Sequence, residues 1–596
     1  MKKCITIVSI LCLFFAAIYS QRNFIFGQEE QTNSEPNAVD LVSGQSDEFL
    51  QEQANSNTKI DADGKIVPAD TTYDADGNII KPRMKSRARD VGIPKPTVYE
   101  EDPAYGFVDF QVARKGNYVK YTNVATGESG AIGGNATDAA YLGRVNGKIR
   151  FKMAGVIGDI VDDNEVKIVA DSPDVCISFY KVKNGMIYHH YLHGSYNSTK
   201  NFSNSYYGSA IVGPQQSYMQ SDTYYYSYDG HYFYTDTTKM LDDYRNGNYQ
   251  QAINANQPYY NYYQFLSHRS LSVYDATGYD KFIENRGNAT SKMLNLGSDF
   301  ISNQNNFGVN AALMFGVACN ESAYGTSTIA KNNNNLFGHA AYDSDPAGSA
   351  NKYSTPAFSI YSHAESFISY GYLDPHDSRY EGSHLGDKAS GINVRYATDP
   401  YWGEVAAGIN YNLDSENGNA NYGLYTIGIK RGNENVNIRK EPNTSSTALY
   451  TTNTATDYPF IILEKVTGEL VNGSDVWYKI QSDPILNSDR SAMILERDEK
   501  YNFSNNYAYV HSSYVTYLGD GKGKPENPPY ETMKGDVDGD SNITGADYML
   551  IKNHIMEKNL LVGEMLKKAD VDTDGIITGA DYMLIKNHIM LGTSLN

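Results

Sequence analysis

The spacing of apolar residues divides the chain into stretches with different predicted structure. From about residue 105 to 212, short apolar runs such as "KIRFKMAGVIGDI" and "EVKIVA" alternate with glycine and asparagine, which predicts a β-rich module. Short β runs return between Tyr425 and Leu518, whereas the sequence from Thr237 to Ser415 has helical spacing and long loops. With 596 residues, the chain is expected to be multidomain, with β-rich parts on either side of a largely helical one.

The N-terminal pattern predicts export. Lys2 and Lys3 precede an apolar run from Cys4 to Tyr19, which is too short and wrongly flanked for a stable membrane span. A signal peptide over residues 1–20 is therefore expected, followed by a polar, disordered spacer over residues 21–96. The mature chain should be secreted and have no transmembrane domain. Its formal net charge of -20 argues against a nucleic-acid partner.

One helical stretch places a charged residue where an apolar one is expected. Leu313, Val317 and Ala318 mark the apolar stripe of a predicted helix, and Glu321 is the next member of that stripe. A carboxyl group on the buried face loses hydration, and its raised pKa allows it to hold a proton as a general acid near neutral pH. The alternative is a helix-terminal glutamate that turns into solvent.

Tyrosine is unusually frequent, with 51 residues against 2 tryptophans. The stretch "YYYSYDGHYFY" predicts two aromatic strands, from Tyr224 to Tyr234, around a turn at Asp229 and Gly230. Cross-strand packing is the favoured interpretation of these rings. A platform for sugars is the alternative, because a tyrosine ring packs on a sugar face while its hydroxyl group forms hydrogen bonds.

A repeat of acidic loops closes the chain. "GADYMLIKNHIM" begins at Gly545 and again at Gly579, and "DVDGDSNITGAD" and "DVDTDGIITGAD" precede the two copies. Oxygen atoms at loop positions one, three, five, seven and twelve suit Ca²⁺, which takes six to eight oxygen ligands. The predicted ligands are Asp536, Asp538, Asp540, Asn542 and Asp547 in the first loop and Asp570, Asp572, Asp574, Ile576 and Asp581 in the second, with Asn542 and Ile576 acting through their carbonyl groups. Two Ca²⁺ ions are therefore expected.

These repeats resemble a type I dockerin, a module with two calcium loop-helix repeats. The resemblance implies docking to a cohesin domain on another protein. It places the contacts at the end of each loop and along the following helix, at Gly545, Ala546, Lys552, Asn553, Gly579, Ala580, Lys586 and Asn587. The small Gly-Ala pairs differ from the hydroxyl-bearing pairs of some cellulosomal dockerins.

"NESAYGTSTIAKNNNNLFGH" resembles the catalytic signature of the lysozyme-like glucosaminidases, the family 73 glycoside hydrolases, also called the mannosyl-glycoprotein endo-β-N-acetylglucosaminidase domain. The resemblance implies an α+β lysozyme-like fold without a cofactor, in which Glu321 is the catalytic acid. It places Asn335 and Phe337 on a loop that closes the cleft, Tyr396 beside the active site, and Tyr401 and Trp402 as aromatic residues that either bind substrate or belong to the core.

The second catalytic group is left open by the sequence. Some relatives carry a glutamate on a mobile hairpin, but residues 349–358 contain no acidic residue. Asp343 and Asp345 are the nearest candidates, whereas Glu365 lies in the following helical run and is interpreted as structural. The alternative is that the N-acetyl group of the substrate acts as the nucleophile, with Tyr396 assisting.

Three short β runs, "VNIRKEP", "VWYKI" and "YVHSSYV", resemble the bacterial SH3-like domain, a small β-barrel that often binds cell-wall peptide or glycan. The predicted organisation is a signal peptide at 1–20, a spacer at 21–96, a β-rich module at 97–222, a glucosaminidase domain at 223–420, an SH3-like domain at 425–518, a linker at 519–534 and an α-helical, two-repeat dockerin at 535–596.

The expected protein is a secreted, cell-wall-associated endo-β-N-acetylglucosaminidase that hydrolyses β-1,4 bonds of peptidoglycan and docks to a cohesin. Two other enzymatic activities remain open, cleavage of N-glycans and lytic transglycosylation. A third alternative is an inactive wall-binding assembly protein.

Overall fold

The computed structural model describes residues 94–110, 118–133, 138–193, 206–339, 351–432, 434–452, 456–494, 500–522, 534–537 and, with short gaps, 543–595. It also gives four short strands nearer the N-terminus: β1 (Lys59–Ile60), β2 (Ile66–Val67), β3 (Thr72–Tyr73) and β4 (Ile79–Ile80). The predicted signal peptide and the rest of the predicted spacer up to residue 93 lie outside the described residues. Within the part that is described, no helix is both long and apolar enough to cross a bilayer.

The first β-rich region contains a seven-stranded antiparallel sheet in the order β11-β5-β8-β9-β10-β6-β7. Its strands are β5 (Gly106–Asp109), β6 (Tyr118–Asn123), β7 (Ser129–Gly133), β8 (Asp138–Val145), β9 (Lys148–Met153), β10 (Val156–Ile160) and β11 (Lys167–Ala170). Asn146 and Gly147, with φ of 51° and 77°, form the tight turn between β8 and β9, as an Asn-Gly pair favours. Val108, Phe110 and Phe151 lie at its core.

A second sheet follows, with three antiparallel strands: β12 (Phe179–Lys183), β13 (Met186–His193) and β14 (Tyr206–Pro214). The expected hairpin from Tyr224 to Tyr234 forms only in part: the stretch has no regular strands, but Tyr226 and Tyr234 pair in an isolated antiparallel bridge with backbone hydrogen bonds of 2.7 and 3.0 Å. Between them, the Asp229 carboxylate accepts hydrogen bonds from the backbone N–H groups of His231 and Tyr232.

The central region is helical. Its helices are α1 (Thr237–Asn246), α2 (Ala276–Glu284), α3 (Gly297–Phe307), α4 (Ala311–Ser322), α5 (Thr328–Asn333), α6 (Pro356–Ser362), a π-helix (His363–Tyr372), α7 (Asn393–Tyr396) and α8 (Trp402–Glu416). Helix α4 lies in the middle of the largest core cluster and is buried on nearly all its faces, so it is a central helix without an exposed polar side.

The β12–β14 sheet packs against helix α8. A Cβ atom at Gly408 would lie 3.2 Å from the Ile211 carbonyl oxygen, so glycine allows the helix to approach the strand closely. Polar contacts accompany this packing: the His189 Nδ1 atom lies 2.7 Å from the Glu404 Oε1 atom, and both side chains are buried. The β-rich and helical regions therefore share an interface that contains a buried contact between a histidine and a glutamate side chain.

The C-terminal β region forms one antiparallel sheet in the order β17-β16-β20-β19-β18-β15-β21. Its strands are β15 (Thr426–Lys430), β16 (Asn437–Arg439), β17 (Ala448–Thr451), β18 (Pro459–Val471), β19 (Ser474–Gln481), β20 (Tyr507–His511) and β21 (Val515–Tyr517). In the described residues β17 and β21 are its two ends, so the expected closed barrel is not observed. Ile427 and Ile429 of β15 instead pack into the helical core.

The last region contains α9 (Gly545–Ile555), α10 (Glu564–Ala569) and α11 (Gly579–Leu591). Val537, Ile551, Val571 and Ile585 belong to its small core. Tyr548 and Tyr582 occupy equivalent positions in the two repeats, and their rings stack with centroids 4.2 Å apart. The sequence repeat therefore appears in the structure as two matching helices packed together.

Candidate active site and calcium loops

Glu321 lies in the last turn of α4, and the expected burial of its side chain is confirmed. The helix begins because the Asn310 side chain accepts hydrogen bonds from the N–H groups of Ala312 and Leu313, and it ends at Ala323, whose φ of 47° is left-handed. The Glu321 side chain is only 5% exposed. Burial raises its pKa to about 8, although a hydrogen bond from Trp402 lowers the pKa and the charge of Asp399 raises it. At neutral pH this carboxyl group therefore holds a proton.

Trp402 orients the carboxyl group of Glu321. Its Nε1–H donates a hydrogen bond of 2.5 Å to the Oε1 atom of Glu321, and its ring stacks on Tyr396 with centroids 4.5 Å apart. Because the indole N–H can only donate, Oε1 acts as the acceptor and the acidic proton is placed on Oε2. Oε2 is buried and makes no hydrogen bond to any of the described residues. The proton is thus held on the oxygen atom that makes no hydrogen bond within the described part of the chain.

The loop from Asn334 to His339 forms a wall beside that oxygen atom. Gly338 has a left-handed φ of 64°, and a Cβ atom there would lie 3.0 Å from Oε2 of Glu321. The Asn335 side chain holds the loop together, because its Oδ1 atom accepts from the N–H groups of Phe337 and His339 at 3.2 Å and its Nδ2 donates to the His339 carbonyl oxygen at 2.9 Å. Glycine at position 338 therefore leaves room for the Glu321 carboxyl group.

The loop is held from its other side by aromatic and histidine side chains. The hydroxyl group of Tyr396 donates to the Phe337 carbonyl oxygen at 2.8 Å. The Phe337 ring stacks on His363 with centroids 3.7 Å apart, and the His363 Nδ1 atom lies 3.0 Å from Nε2 of His339. Burial lowers the pKa of both histidines, so they are neutral at pH 7. Sequence reasoning missed these histidines, whose only signal is the position of His339 directly after the loop.

The structure adds one acidic residue to the surroundings of Glu321. Asp399 lies just before α8, accepts a hydrogen bond of 2.9 Å from the Tyr401 N–H, and raises the pKa of Glu321 by its charge. Asp343 and Asp345, the candidates from the sequence, lie outside the described residues. Glu365 is half-buried in the π-helix, where its Oε2 atom accepts a hydrogen bond from the Ser366 hydroxyl.

The second acidic loop near the C-terminus gathers its carboxylates. One oxygen atom from each of Asp570, Asp572 and Asp574 lies within 4.8 Å of the other two. Asp581 is buried and accepts hydrogen bonds from the N–H groups of Val571 and Thr578, both at 2.8 Å. The Oδ1 atom of Asp570 is buried without a hydrogen-bond partner in the described part of the chain. An oxygen-rich site of this kind fits a hard cation such as Ca²⁺.

The first loop shows the same arrangement in the part that is described. Asp547 is fully buried, and its carboxylate accepts from the N–H groups of Val537 at 2.7 Å and Thr544 at 2.8 Å. Asp536 is also buried, with one oxygen atom 3.1 Å from the Lys568 Nζ atom and the other without a hydrogen bond to any residue that the structure describes. The remaining predicted ligands, Asp538, Asp540 and Asn542, lie outside the described residues. The described ligands of both loops fit Ca²⁺.

Comparison with known proteins identifies two segments. Residues 297–415 match the family model described as "Mannosyl-glycoprotein endo-beta-N-acetylglucosaminidase", and residues 534–590 match the model of the type I dockerin domain. The chain contains a glucosaminidase domain and a dockerin domain. The first match includes Glu321, Gly338, Tyr396 and Trp402, so the geometry described above lies within the glucosaminidase domain.

Two curated relatives extend this result. Over 145 residues the chain is 34% identical to a protein of Streptococcus pneumoniae serotype 4 named "Putative endo-beta-N-acetylglucosaminidase", an alignment that covers 24% of this chain and 21% of that protein. A protein of the same name from a second Streptococcus pneumoniae strain is also 34% identical, with 20% of its length covered. The chain thus spans about a fifth of the length of the curated relatives it matches.

Similar solved structures are autolysins. A catalytic mutant of S. aureus autolysin E in complex with the disaccharide NAG-NAM is 17% identical, with a TM-score of 0.22 over 26% of this chain and 73% of that one. A structure of the major bifunctional autolysin is 23% identical, with a TM-score of 0.19 over 26% of this chain and 68% of that one.

The predicted substrate-binding residues of the glucosaminidase domain are separated in space. Trp402 contacts Glu321, and Asn335 and Phe337 lie in the adjacent loop, where their buried side chains make protein contacts. Tyr401 packs away from Glu321, with its ring 4.8 Å from that of His189 and 5.0 Å from that of Tyr191 in the β-rich region. The structure thus brings Glu321, Tyr396, Trp402 and the loop together and places Tyr401 at the interface between regions.

On the dockerin domain, the residues expected to contact a partner lie on the surface to different extents. The Gly-Ala pairs at Gly545 and Gly579 begin α9 and α11 and are exposed. The lysine and asparagine pairs further along these helices are half-buried: Lys552, Asn553, Lys586 and Asn587. The Ile576 side chain is 64% exposed. The predicted ligand at this position is the backbone carbonyl group, which does not depend on the side chain.

Proposed function

We propose that this protein is an endo-β-N-acetylglucosaminidase that hydrolyses β-1,4 glycosidic bonds of bacterial peptidoglycan on the reducing side of GlcNAc. The observation that carries the proposal is the buried carboxyl group of Glu321, whose pKa is raised to about 8 and whose Oε1 atom is engaged by Trp402. Such a group is protonated at neutral pH, which is what a group that protonates a leaving oxygen atom requires. The match of the surrounding segment to a glucosaminidase model supports the same reaction class.

The proposed first step is transfer of the proton on the Glu321 Oε2 atom to the glycosidic oxygen as the C–O bond breaks. The N–H group of Trp402 then donates to the carboxylate that remains, which stabilises its charge. Neutral His339 and His363 support the loop without adding a competing charge. Tyr396 acts mainly by positioning the loop, because its hydroxyl group donates a hydrogen bond to the Phe337 carbonyl oxygen.

The group that attacks the anomeric carbon is proposed from the sequence. Asp343 and Asp345 are the two candidate carboxylates, and the substrate's own N-acetyl group is the alternative nucleophile. The variants Asp343→Asn and Asp345→Asn distinguish these routes. A carboxylate that activates water or forms a covalent intermediate is essential, so its loss should abolish turnover, whereas the substrate-assisted route should survive both changes.

Support for peptidoglycan comes from the family 73 resemblance and from the SH3-like motifs of the C-terminal sheet. A high-mannose glycoprotein is the competing substrate, favoured by the description of the matching family model. Parallel digests of purified peptidoglycan and of such a glycoprotein test the choice. We expect new reducing GlcNAc ends from peptidoglycan. Release of N-glycans alone would refute the wall assignment, and 1,6-anhydro-MurNAc ends would identify a lytic transglycosylase.

We further propose that the protein is exported and docks, through its calcium-loaded dockerin domain, to a cohesin domain. The carboxylates of Asp536, Asp547, Asp570 and Asp581, with those between them, would hold one Ca²⁺ ion in each loop and neutralise charges that otherwise repel one another. The equivalent repeats suggest two binding orientations related by a half-turn. Changing the Gly-Ala pair of either repeat should then leave cohesin binding intact, and changing both should remove it.

A further inference from the structure

We propose that the β12–β14 sheet carries a second glycan-binding surface, separate from Glu321. We call it the aromatic face, and it consists of Phe179, Tyr188, His190, Tyr207 and Tyr224. Its ligand is a glycan strand built of β-linked N-acetylhexosamine units. The identity of the polymer rests on the proposed function, whereas binding by the aromatic face is tested independently of hydrolysis.

The rings of the aromatic face contact one another around a central phenylalanine. The Phe179 ring stacks on His190 with centroids 4.9 Å apart, and Tyr207 and Tyr224 pack against it edge-on at 5.1 and 4.7 Å. Tyr188 extends the row from His190, with centroids 6.3 Å apart and an interplanar angle of 23°. Mutual packing limits the rotation of these rings, so a ligand meets a surface that is already ordered.

The aromatic face lies on the partly exposed side of the strands, between Leu192, which is buried on that side, and Ile211, which packs there against the helical core. Side chains alternate along a strand, and Tyr180, Val182 and Ile187, which point to the other side, are almost fully buried. Tyr224 is 50% exposed and Tyr207 is 36% exposed. Large exposed aromatic side chains that are grouped on one surface mark binding sites more often than scattered ones do.

Charged and polar groups border the rings. The Lys181 Nζ atom lies 5.2 Å from the centroid of the Tyr224 ring and 3.3 Å from the Asp222 Oδ1 atom, and the Asp222 side chain is 90% exposed. The exposed Ser209 pairs with His190 across the strands. A donor, an acceptor and several hydroxyl groups are therefore available around an apolar centre.

This combination matches a sugar better than it matches a protein. A pyranose ring has an apolar face of C–H groups, which packs on an aromatic ring, and an edge of hydroxyl and amide groups, which bond to polar side chains. The aromatic face has five rings, whereas a stable protein interface uses roughly 20–30 residues on each side. The formal charge of -20 also makes a nucleic-acid strand an unfavourable ligand. A neutral glycan strand fits the size, shape and polarity of the surface.

The test uses the full-length protein carrying Glu321→Gln, so that binding is measured without cleavage. Tetra-N-acetylchitotetraose is titrated in a calorimeter, and sedimentation with purified peptidoglycan is measured in parallel. Adding Tyr207→Ala and Tyr224→Ala should remove one tetrasaccharide site per chain and weaken peptidoglycan binding about tenfold or more. Tyr99→Ala is the matched control, because Tyr99 is a 37% exposed tyrosine of the same β-rich region outside the aromatic face.

A second variant keeps an aromatic ring in place and so does not depend on truncation. Tyr224→Trp should show a saturable change in tryptophan emission beyond that of the Glu321→Gln parent when the tetrasaccharide is added, and Tyr99→Trp should show none beyond it. Unchanged stoichiometry and affinity in the double alanine variant, or no additional emission change in Tyr224→Trp, would overturn the proposal. Because these readouts need no turnover, absence of hydrolysis by the wild type would refute the proposed function and leave this result standing.

Discussion

Replacing Glu321 by glutamine should remove the loss of stability that the wild-type protein undergoes as the pH rises through neutrality. The buried carboxyl group has a pKa of about 8 in the folded state against 4.5 in its ordinary environment. Folding therefore favours the protonated form. The stabilisation from this proton is complete below pH 4.5 and is lost as the pH rises to about 8, because the unfolded chain releases the proton while the folded chain keeps it. Glutamine has no proton to lose.

The size of the effect follows from the two pKa values. Each pH unit between 4.5 and 8 removes about 1.4 kcal/mol from the wild-type protein and nothing from the variant. At pH 7 the accumulated difference is about 3 kcal/mol in favour of Glu321→Gln. The amide adds an N–H group for which the described residues offer no acceptor, which costs the variant about 1–3 kcal/mol at every pH. That cost changes the difference in unfolding free energy between variant and wild type by the same amount at every pH. The slope of this difference against pH is therefore unchanged.

Urea unfolding at a series of pH values measures the slope. The chain has two tryptophans, so a Trp477→Phe background leaves Trp402, which contacts Glu321, as the single fluorescent reporter of the glucosaminidase domain. We expect the difference in unfolding free energy between variant and wild type to rise with pH from 4.5 to 8 and then level off. The exposed Glu284→Gln should show no such rise. A flat difference for Glu321→Gln would mean that the carboxyl group is solvated and would refute the reasoning.

Three further changes test other parts of the site. Trp402→Phe removes the N–H group that lowers the pKa of Glu321, so the alkaline limb of the pH profile of kcat/KM should move upward by about one to two pH units. Gly338→Ala places a Cβ atom 3.0 Å from the acid and a side chain at a left-handed φ, so we expect a loss of about 1–2 kcal/mol in a melting experiment and at least about tenfold lower activity. Removal of Ca²⁺ by a chelator should unfold the dockerin domain, and near-ultraviolet circular dichroism should show the loss of the Tyr548–Tyr582 contact. When Ca²⁺ is added back in a calorimeter, we expect two ions to bind per chain. Fewer than two would contradict the ligand assignment.

The local pattern drew attention to Glu321, and the resemblance of the residues around it favoured a buried carboxyl group over one that turns into solvent. Glu321 follows Val317 and Ala318 at helical spacing, and the structure buries it with them. Its partner was harder to predict, because Trp402 lies 81 residues further along the chain and no periodicity links the two positions. The sequence marked Trp402 as either core or substrate-binding, and the structure shows a buried ring that touches the acid. Contacts of this kind depend on tertiary packing, which short-range patterns do not record.

The relations between regions were the least predictable part of the fold. The β-rich region was expected to be a separate module, yet its His189 side chain pairs with Glu404 of helix α8. The C-terminal strands were correctly expected to form a sheet, but Ile427 of β15 joins the helical core instead of closing a barrel. Burial of apolar side chains decided this outcome, and strand spacing alone does not specify which core a strand will join. The acidic repeats, by contrast, carry their ligand pattern within 12-residue loops, so their position could be predicted locally.

The central claim is that Glu321 is the proton donor of a glucosaminidase. Its most direct test is the release of reducing GlcNAc ends from purified peptidoglycan near pH 6, measured side by side for the wild type and Glu321→Gln. We predict steady release by the wild type and a rate lower by about a hundredfold or more for the variant, with both proteins folded. Release at a similar rate by a folded Glu321→Gln protein would contradict the claim, as would the absence of new ends from the wild type.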